Sequence, residues 1–285
     1  MGESVSDEQL LCLWGSINAD VGIVSLPNVV IPSCSVKCRL GRGKTSDVFM
    51  VAIGQGDVCL KVPREGYEGV INREIALMEK LMENDHISQS PHFSKLYPVS
   101  SVKVQWGKRT TTGFFTIPCG TERDDLMRED VLELAQALSL FHKLGYRHRD
   151  ISPSNVSFDS DGNPFFRDFG FSTDNPEDPY QGAIGTASNR ILRILAEKKE
   201  VTDFTDADDV ESLLKTIFII LFRREPRVER SSPLAENAQA VLEFWEATRF
   251  PPEESIAKIV QSEGYVAIEN LCWLRPRGVR YPSHS

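Results

Sequence analysis

Arg147-His148-Arg149-Asp150-Ile151-Ser152-Pro153-Ser154-Asn155, followed by Arg167-Asp168-Phe169-Gly170, is the stretch that decides how the rest of the chain is read. Asp150 and Asp168 stand eighteen residues apart, and Asn155 follows Asp150 by five. One carboxylate can accept a proton from an attacking hydroxyl. Asn155 and the other carboxylate can hold metal ions on a nucleoside triphosphate, which is the division of labour that phosphoryl transfer needs.

Upstream, Leu40-Gly41-Arg42-Gly43-Lys44-Thr45-Ser46-Asp47-Val48 puts two glycines at a tight strand turn, where backbone N–H groups can approach phosphate oxygens without a side chain in the way. A plain hairpin explains two glycines equally well, and Ser46 occupies the slot where a third glycine is common. Val58-Cys59-Leu60-Lys61 then sets one lysine in an apolar strand, where an ammonium is costly unless it meets an anion. Glu74 lies thirteen residues on, in a helix beginning near Ile71, and a Lys–Glu pair between strand and helix would aim the ammonium at the α- and β-phosphates. Taken singly, a lysine reaching solvent and a glutamate on a wet helix face fit as well. The ordered set of glycine loop, lysine, glutamate, His-Arg-Asp with Asn, and Asp-Phe-Gly is improbable by chance.

In that order the motifs resemble a eukaryotic-type protein kinase over about residues 36–275. His-Arg-Asp-Ile-Ser-Pro, Arg-Asp-Phe-Gly-Phe-Ser and Asp-Asp-Val-Glu-Ser-Leu look closest to the fungal-type Ser/Thr protein kinase family. The resemblance implies an α+β, bilobal fold, with ATP and Mg²⁺ bound between the lobes near a hinge around Ile117 to Gly120. It implies Asp150 as catalytic base, Lys61 with Glu74 as the phosphate-positioning pair, and Asn155 and Asp168 as metal ligands. Leu40, Gly41, Gly43, Val48, Cys59 and Lys61 would contact the nucleotide, with Cys59 where the adenine roof usually has alanine. Phe169 would pack near Met78 and His148, and Asp209 would hold the backbone of the loop bearing Asp150. The acceptor would be a Ser or Thr hydroxyl of a protein substrate.

The family pattern is broken at Ser152 and at Ile191-Leu192-Arg193. Ser152 stands where these kinases commonly have a lysine on the transferred phosphate, a loss on the order of 2–4 kcal/mol in the barrier unless another cation, Arg190 or Arg193, replaces it. Gly185-Thr186 resembles the glycine-threonine whose hydroxyl braces the catalytic aspartate, but Ile191-Leu192-Arg193 replaces Ala-Pro-Glu, so that glutamate's salt bridge must be absent or reversed. The short segment from Asp168 to Thr186 holds Ser172, Thr173 and Tyr180 as possible phosphosites, and Asp174, Glu177 and Asp178 as acids that can satisfy Arg149 constitutively. Two rival readings follow, a pseudokinase scaffold without efficient transfer and a small-molecule phosphotransferase.

Periodicity supplies the elements. Residues 1–33 form an N-terminal extension with a possible capping box at Ser6 and Gln9. Residues 34–117 read as an antiparallel five-stranded sheet with one helix: three strands from Ser35 to Val62, a helix over 71–83, and strands over Phe93–Val104 and Thr110–Ile117. Residues 118–285 read as hinge and mainly helical lobe, with a stripe at Val131, Leu134, Ala135, Leu138 and Phe141 and a buried helix over Val210–Phe222. Pro233 and Pro252 mark two further helix starts.

A formal charge of −9 argues against nucleic acid as the main ligand. The six cysteines are scattered and read as buried thiols. A polar, acidic N-terminus and a longest apolar run of Ile217–Phe222 imply no signal peptide and no membrane span, hence an intracellular protein, cytoplasmic or nuclear. Met1 to Ser6 matches a loose myristoylation pattern, but Glu3 and the lack of a basic patch argue against a membrane anchor. Nothing in the composition points to an oligomeric state.

Overall fold

The computed structural model describes residues 28–29, 34–54, 56–98, 101–106, 109–175, 177–229, 231–248, 250–251 and 253–270. They divide into two compact units: residues up to Gln89 together with Ser94–Cys119, and Ser90–Phe93 together with residues from Gly120 on. The expected capping box at Ser6 and Gln9, the myristoylation pattern, Cys12, Cys272 and Pro252 lie outside the described residues.

The first unit is built on strands β1 (Asn28–Val29), β2 (Cys34–Arg42), β3 (Ser46–Ile53), β4 (Gly56–Pro63), β5 (Lys95–Leu96), β6 (Val102–Trp106) and β7 (Arg109–Ile117). They form one antiparallel sheet in the order β1-β6-β7-β4-β3-β2, with β5 pairing to β7. Five of these are the long strands legible in the sequence, and two are two-residue additions. The strand expected over Phe93–Val104 is split, because Pro98 has no N–H for the ladder and falls between β5 and β6. Phe93 instead bridges to Phe166 in the second unit's own fold.

Alternation along β3 and β4 puts Phe49, Val51, Val58, Leu60 and Val62 in a core with Val104 and Phe115. The pairing of Val48 with Lys61 puts those two, and Cys59, on the opposite face. Helix α1 (Glu68–Met82) buries Ile71, Glu74, Met78 and Leu81. It begins before the first apolar residue because Glu68 favours the positive end of the helix dipole and needs no core contact. A four-residue helix, α2 (Asp85–Ser88), follows, its cap Asn84 accepting from the His86 N–H at 3.0 Å.

The second unit contains α3 (Arg128–Lys143), the hairpin β8 (Val156–Phe158) and β9 (Pro164–Phe166), α4 (Asn189–Ala196), α5 (Asp206–Phe222), α6 (Leu234–Ala247) and α7 (Glu253–Gln261). Trp245, Ile191, Leu192, Phe218 and Val241 centre a core shared by α4, α5 and α6. Helix α5 starts four residues before Val210, since Thr205 and Asp208 form a capping box that closes its first turn. Nor is its interior purely apolar: Lys215 is fully buried on it. Among the described residues no helix is long and apolar enough to cross a membrane.

Candidate active site

In the first unit, the β2–β3 turn is closed by the Gly43 N–H donating to the Ser46 carbonyl at 2.8 Å. A Cβ on Gly43 would lie 3.3 Å from that oxygen, so glycine relieves the turn itself. At Gly41 a Cβ would meet nothing within 4 Å. Space around the position therefore does not require glycine there. Leu40 and Val48 flank this turn, exposed and half-buried respectively. Ser46, in the slot of a third glycine, is buried and serves the turn through its carbonyl.

On β4, Lys61 Nζ donates to both carboxylate oxygens of Glu74, at 2.9 and 2.7 Å. Both residues are at most 5% exposed. A pair this dry is strongly destabilised by losing one partner, because the other is left as a buried charge. Cys59, two residues from Lys61 on the same face, brings its sulfur 2.9 Å from that of Cys119.

The second unit holds the other half of the residue set. Helix α3 ends at Lys143, Gly145 turns the chain at φ +87°, and residues 147–152 form a loop in which Arg147 and Asp150 are half-buried and the others buried. That loop is held by Asp209, fully buried in the first turn of α5, which accepts from the N–H groups of His148 at 2.6 Å and Arg149 at 2.8 Å. His142 Nε2 lies 3.0 Å from the same carboxylate, while its Nδ1 lies 2.7 Å from the Tyr265 hydroxyl. Arg149 sits in the left-handed region, φ 68°.

Hairpin β8–β9 then returns the chain so that Arg167, the residue before Asp168, donates its N–H to the Asn155 carbonyl at 3.0 Å. Asn155 donates through Nδ2 to the carbonyl of Asp150 at 2.7 Å and to its Oδ2 at 2.9 Å. Its amide oxygen accepts no hydrogen bond among the described residues. Asp168 also sits at positive φ, 63°. Phe169 is buried against the rings of His148, Phe141 and Phe93, with centroids 5.3, 5.7 and 6.5 Å away. Burial depresses the pKa of His148, so its imidazole is neutral in this aromatic cluster.

Several details correct the sequence reading. Thr186 donates its hydroxyl to the carbonyl of Ile151 at 2.6 Å rather than to the carboxylate of Asp150. Oδ1 of Asp150 instead accepts the backbone N–H of Ala183 at 2.7 Å. Neither arginine replaces the lysine missing at Ser152. Arg190 is committed to Asp203 and Asp208, and Arg193 pairs with Glu246 at 3.3 Å. That last pair is the reversed salt bridge at the Ala-Pro-Glu site; both partners are about half exposed, so it contributes little. Ser152 itself is within 2.9 Å of the Ser154 hydroxyl.

Arg149 meets main chain rather than the acids' side chains: its Nη2 donates to the carbonyls of Asp178, at 3.2 Å, and Pro179, while its buried Nε has no partner among the described residues. Burial lowers its pKa against the opposing pull of Asp178. Ser172 donates to the His148 carbonyl at 3.2 Å, Thr173 to Asp178 at 2.6 Å, and Tyr180 to the Ala183 carbonyl at 2.9 Å. Three hydroxyls between Asp168 and Thr186 are thus committed to partners in the segment or in the loop before it. Two residues escaped the sequence reading, Ala183 and Lys215, because an alanine N–H and a lysine inside an apolar helix give no motif. Lys215 ties the start of α4 to α5, donating to the Ala187 carbonyl at 2.5 Å and Asn189 Oδ1 at 2.9 Å.

Asn155 and Asp168 offer an amide oxygen and a carboxylate, hard donors of the kind that suit Mg²⁺. No cluster of three or more His, Cys, Asp or Glu suited to a metal occurs among the described residues, and an ion held largely by phosphates and water needs none.

No family model matches the chain. It is 36% identical over 132 residues to a probable serine/threonine-protein kinase of Dictyostelium discoideum, covering 43% of this chain and 20% of that protein. It is 27% identical over 176 residues to the serine/threonine-protein kinase TOS3 of Saccharomyces cerevisiae, covering 55% and 31%. It is 29% identical over 150 residues to CBL-interacting protein kinase 4 of Oryza sativa, covering 47% and 32%. The chain thus spans less than a third of the length of these relatives. The structure of vaccinia related kinase 3 superposes with a TM-score of 0.57 at 12% identity, covering 92% of this chain and 93% of that one.

Proposed function

We propose that this chain, which has the eukaryotic-type protein kinase fold and is similar in sequence to Ser/Thr protein kinases, transfers the γ-phosphate of ATP to Ser or Thr hydroxyls of a protein substrate. The single observation that carries the reading is the joint placement of Asp150, Asn155 and Asp168. Asn155 is bonded to Asp150, and the residue before Asp168 is bonded to the Asn155 carbonyl, which supports the reading. A separate buried pair, Lys61–Glu74, presents one ammonium held at fixed length.

On this reading, Asp150 orients the acceptor hydroxyl and takes its proton. Lys61, steered by Glu74, holds the α- and β-phosphates, while the turn bearing Gly41 and Gly43 covers the phosphates and Val48 and Cys59 contact the base. Asn155 and Asp168 hold Mg²⁺ on the triphosphate. An ion held by these two residues would supply positive charge to the triphosphate during transfer. Ser152 leaves the transferred phosphate without the usual lysine, so a slow enzyme is expected.

A second reading, a scaffold that binds nucleotide without efficient transfer, is favoured by the Ala183 N–H seated on Asp150 Oδ1, the oxygen an acceptor hydroxyl needs. Purified chain incubated with labelled ATP, Mg²⁺, a basic protein and a panel of small alcohols, beside Asp168→Ala, separates the readings. Label on protein, lost in the variant, supports the kinase. Nucleotide binding without transfer supports the scaffold, and label on an alcohol alone would make it a small-molecule phosphotransferase.

A further inference from the structure

We propose that Cys59 and Cys119 are a reversible disulfide-forming pair, an oxidative modification site on the same face of the sheet as Lys61. Cys59 is buried in β4; its strand neighbour on β7 is Thr116, and the chain beyond β7 brings Cys119, which is half-buried, back against it. Both are thiols, and their sulfurs are 2.9 Å apart. A bond of about 2.05 Å needs them to close by less than 1 Å. Sixty residues of chain separate the two cysteines, so the proximity is a product of the fold.

The sheet supplies a reason why this pair has a consequence. Cys59 is two residues from Lys61 on one strand, about 7 Å along it. The side chains facing the same way as both include Val48 and Phe114, paired to Lys61, and Met50 and Thr116, paired to Cys59. Resting on the function proposed above, this is where the base of the nucleotide lies. A disulfide would fasten β4 to the segment after β7 and fix both sulfurs over that surface.

The oxidant is a small-molecule disulfide, RSSR. The Cys119 thiolate, the more exposed of the two, attacks one sulfur of RSSR, forming Cys119–S–SR and expelling RS⁻. The Cys59 thiolate then attacks Cys119 Sγ, forming the Cys59–Cys119 bond and expelling the second RS⁻. The two thiol protons end on the two RSH released, and the two electrons from the cysteine pair reduce RSSR. The second step is intramolecular, so the mixed disulfide does not accumulate. The contact with Cys59 and burial push the Cys119 thiol well up, which makes the first step slow and the site responsive to sustained rather than brief oxidation.

The test uses the full chain with oxidised glutathione, peptide mapping, and titration with a fluorescent ATP analogue before and after oxidation. The expected result is a Cys59–Cys119 linked peptide, with the mass of two hydrogens lost, and nucleotide affinity weakened about tenfold or more and restored by reductant. Cys119→Ser should form no such link, and its affinity should be the same before and after oxidant. Links only to exposed Cys38 or to other cysteines, or no link, would overturn the pair as a site. A link that leaves affinity unchanged would overturn its effect on the nucleotide. Should the reduced chain bind no nucleotide while the link forms, the disulfide site stands and the kinase reading fails.

Discussion

The backbone N–H of Ala183 donates to Oδ1 of Asp150 at 2.7 Å, while Asn155 Nδ2 donates to Oδ2 at 2.9 Å. Each carboxylate oxygen thus has a donor from a different side, and the side chain is held without the lysine that Ser152 replaces. Asp150→Asn keeps the volume but sets an NH₂ against one of these donors and removes the proton acceptor. Transfer from MgATP should fall about 10²- to 10⁴-fold, with a melting temperature within about 4 °C of wild type. Undiminished transfer would remove Asp150 as the base.

Gly182 approaches the same loop from behind. A Cβ there would fall 1.8 Å from the Arg149 carbonyl oxygen, so Gly182→Ala must displace backbone and should cost about 1–3 kcal/mol, with transfer falling in step. Gly185→Ala is the control, because its Cβ would make an ordinary 3.8 Å contact with Pro226 and should stay within about 0.5 kcal/mol of wild type. Urea unfolding of both variants decides; equal stabilities would mean that the close approach does not constrain the segment.

Lys61→Met leaves the Glu74 carboxylate buried without the two bonds from the ammonium. A loss of about 3–5 kcal/mol is expected, together with loss of nucleotide binding. The double variant Lys61→Met with Glu74→Leu should recover most of the stability and none of the binding. Calorimetry beside nucleotide titration reads both, and nucleotide affinity surviving in either variant would count against the role of Lys61.

Asp209→Ala removes the acceptor for two buried N–H groups and for His142. Unsatisfied buried donors put the expected cost at about 3–5 kcal/mol, read from chemical denaturation. Hydrogen exchange should show the His148 and Arg149 amides losing protection first. Unchanged protection there would mean the loop does not depend on Asp209.

Burial lowers the pKa of Lys215 to about 8, although Glu211 opposes it. In the unfolded chain a lysine titrates near its ordinary value of about 10.4. Between these values the unfolded state binds more protons, so the contribution of Lys215 to stability is lowest below about pH 8 and rises with pH through that window. Relative to Lys215→Met, the wild type should gain up to about 3 kcal/mol between pH 7 and 10. A flat difference across that range would contradict the depressed value.

Residue type and spacing made part of this protein legible. The period-2 alternation from Ser35 to Val62 and the 3.6-residue stripe after Ile71 read as strands and helix because burying one face demands those periods. Asp150, Asn155, Asp168, Lys61 and Glu74 could be singled out as candidates because their polar side chains stand in a fixed order along the chain, and the Lys61–Glu74 contact follows the cost of burying a lone charge. The break at Pro98 between β5 and β6, and the start of α5 at Asp206, were less so, since end points depend on caps and ladder partners rather than on periodicity.

By itself the sequence determined the fold class and the identities of the charged residues, because periodicity and charge cost are local properties. Only the tertiary structure decided which atoms these residues meet. The Ala183 N–H on Asp150, the carbonyls of Asp178 and Pro179 on Arg149, the Ile151 carbonyl under Thr186 and the Cys119 sulfur beside Cys59 all join residues far apart in the chain or involve backbone groups. Every residue type except proline carries the same N–H and C=O, so no pattern of side chains announces where those groups are used.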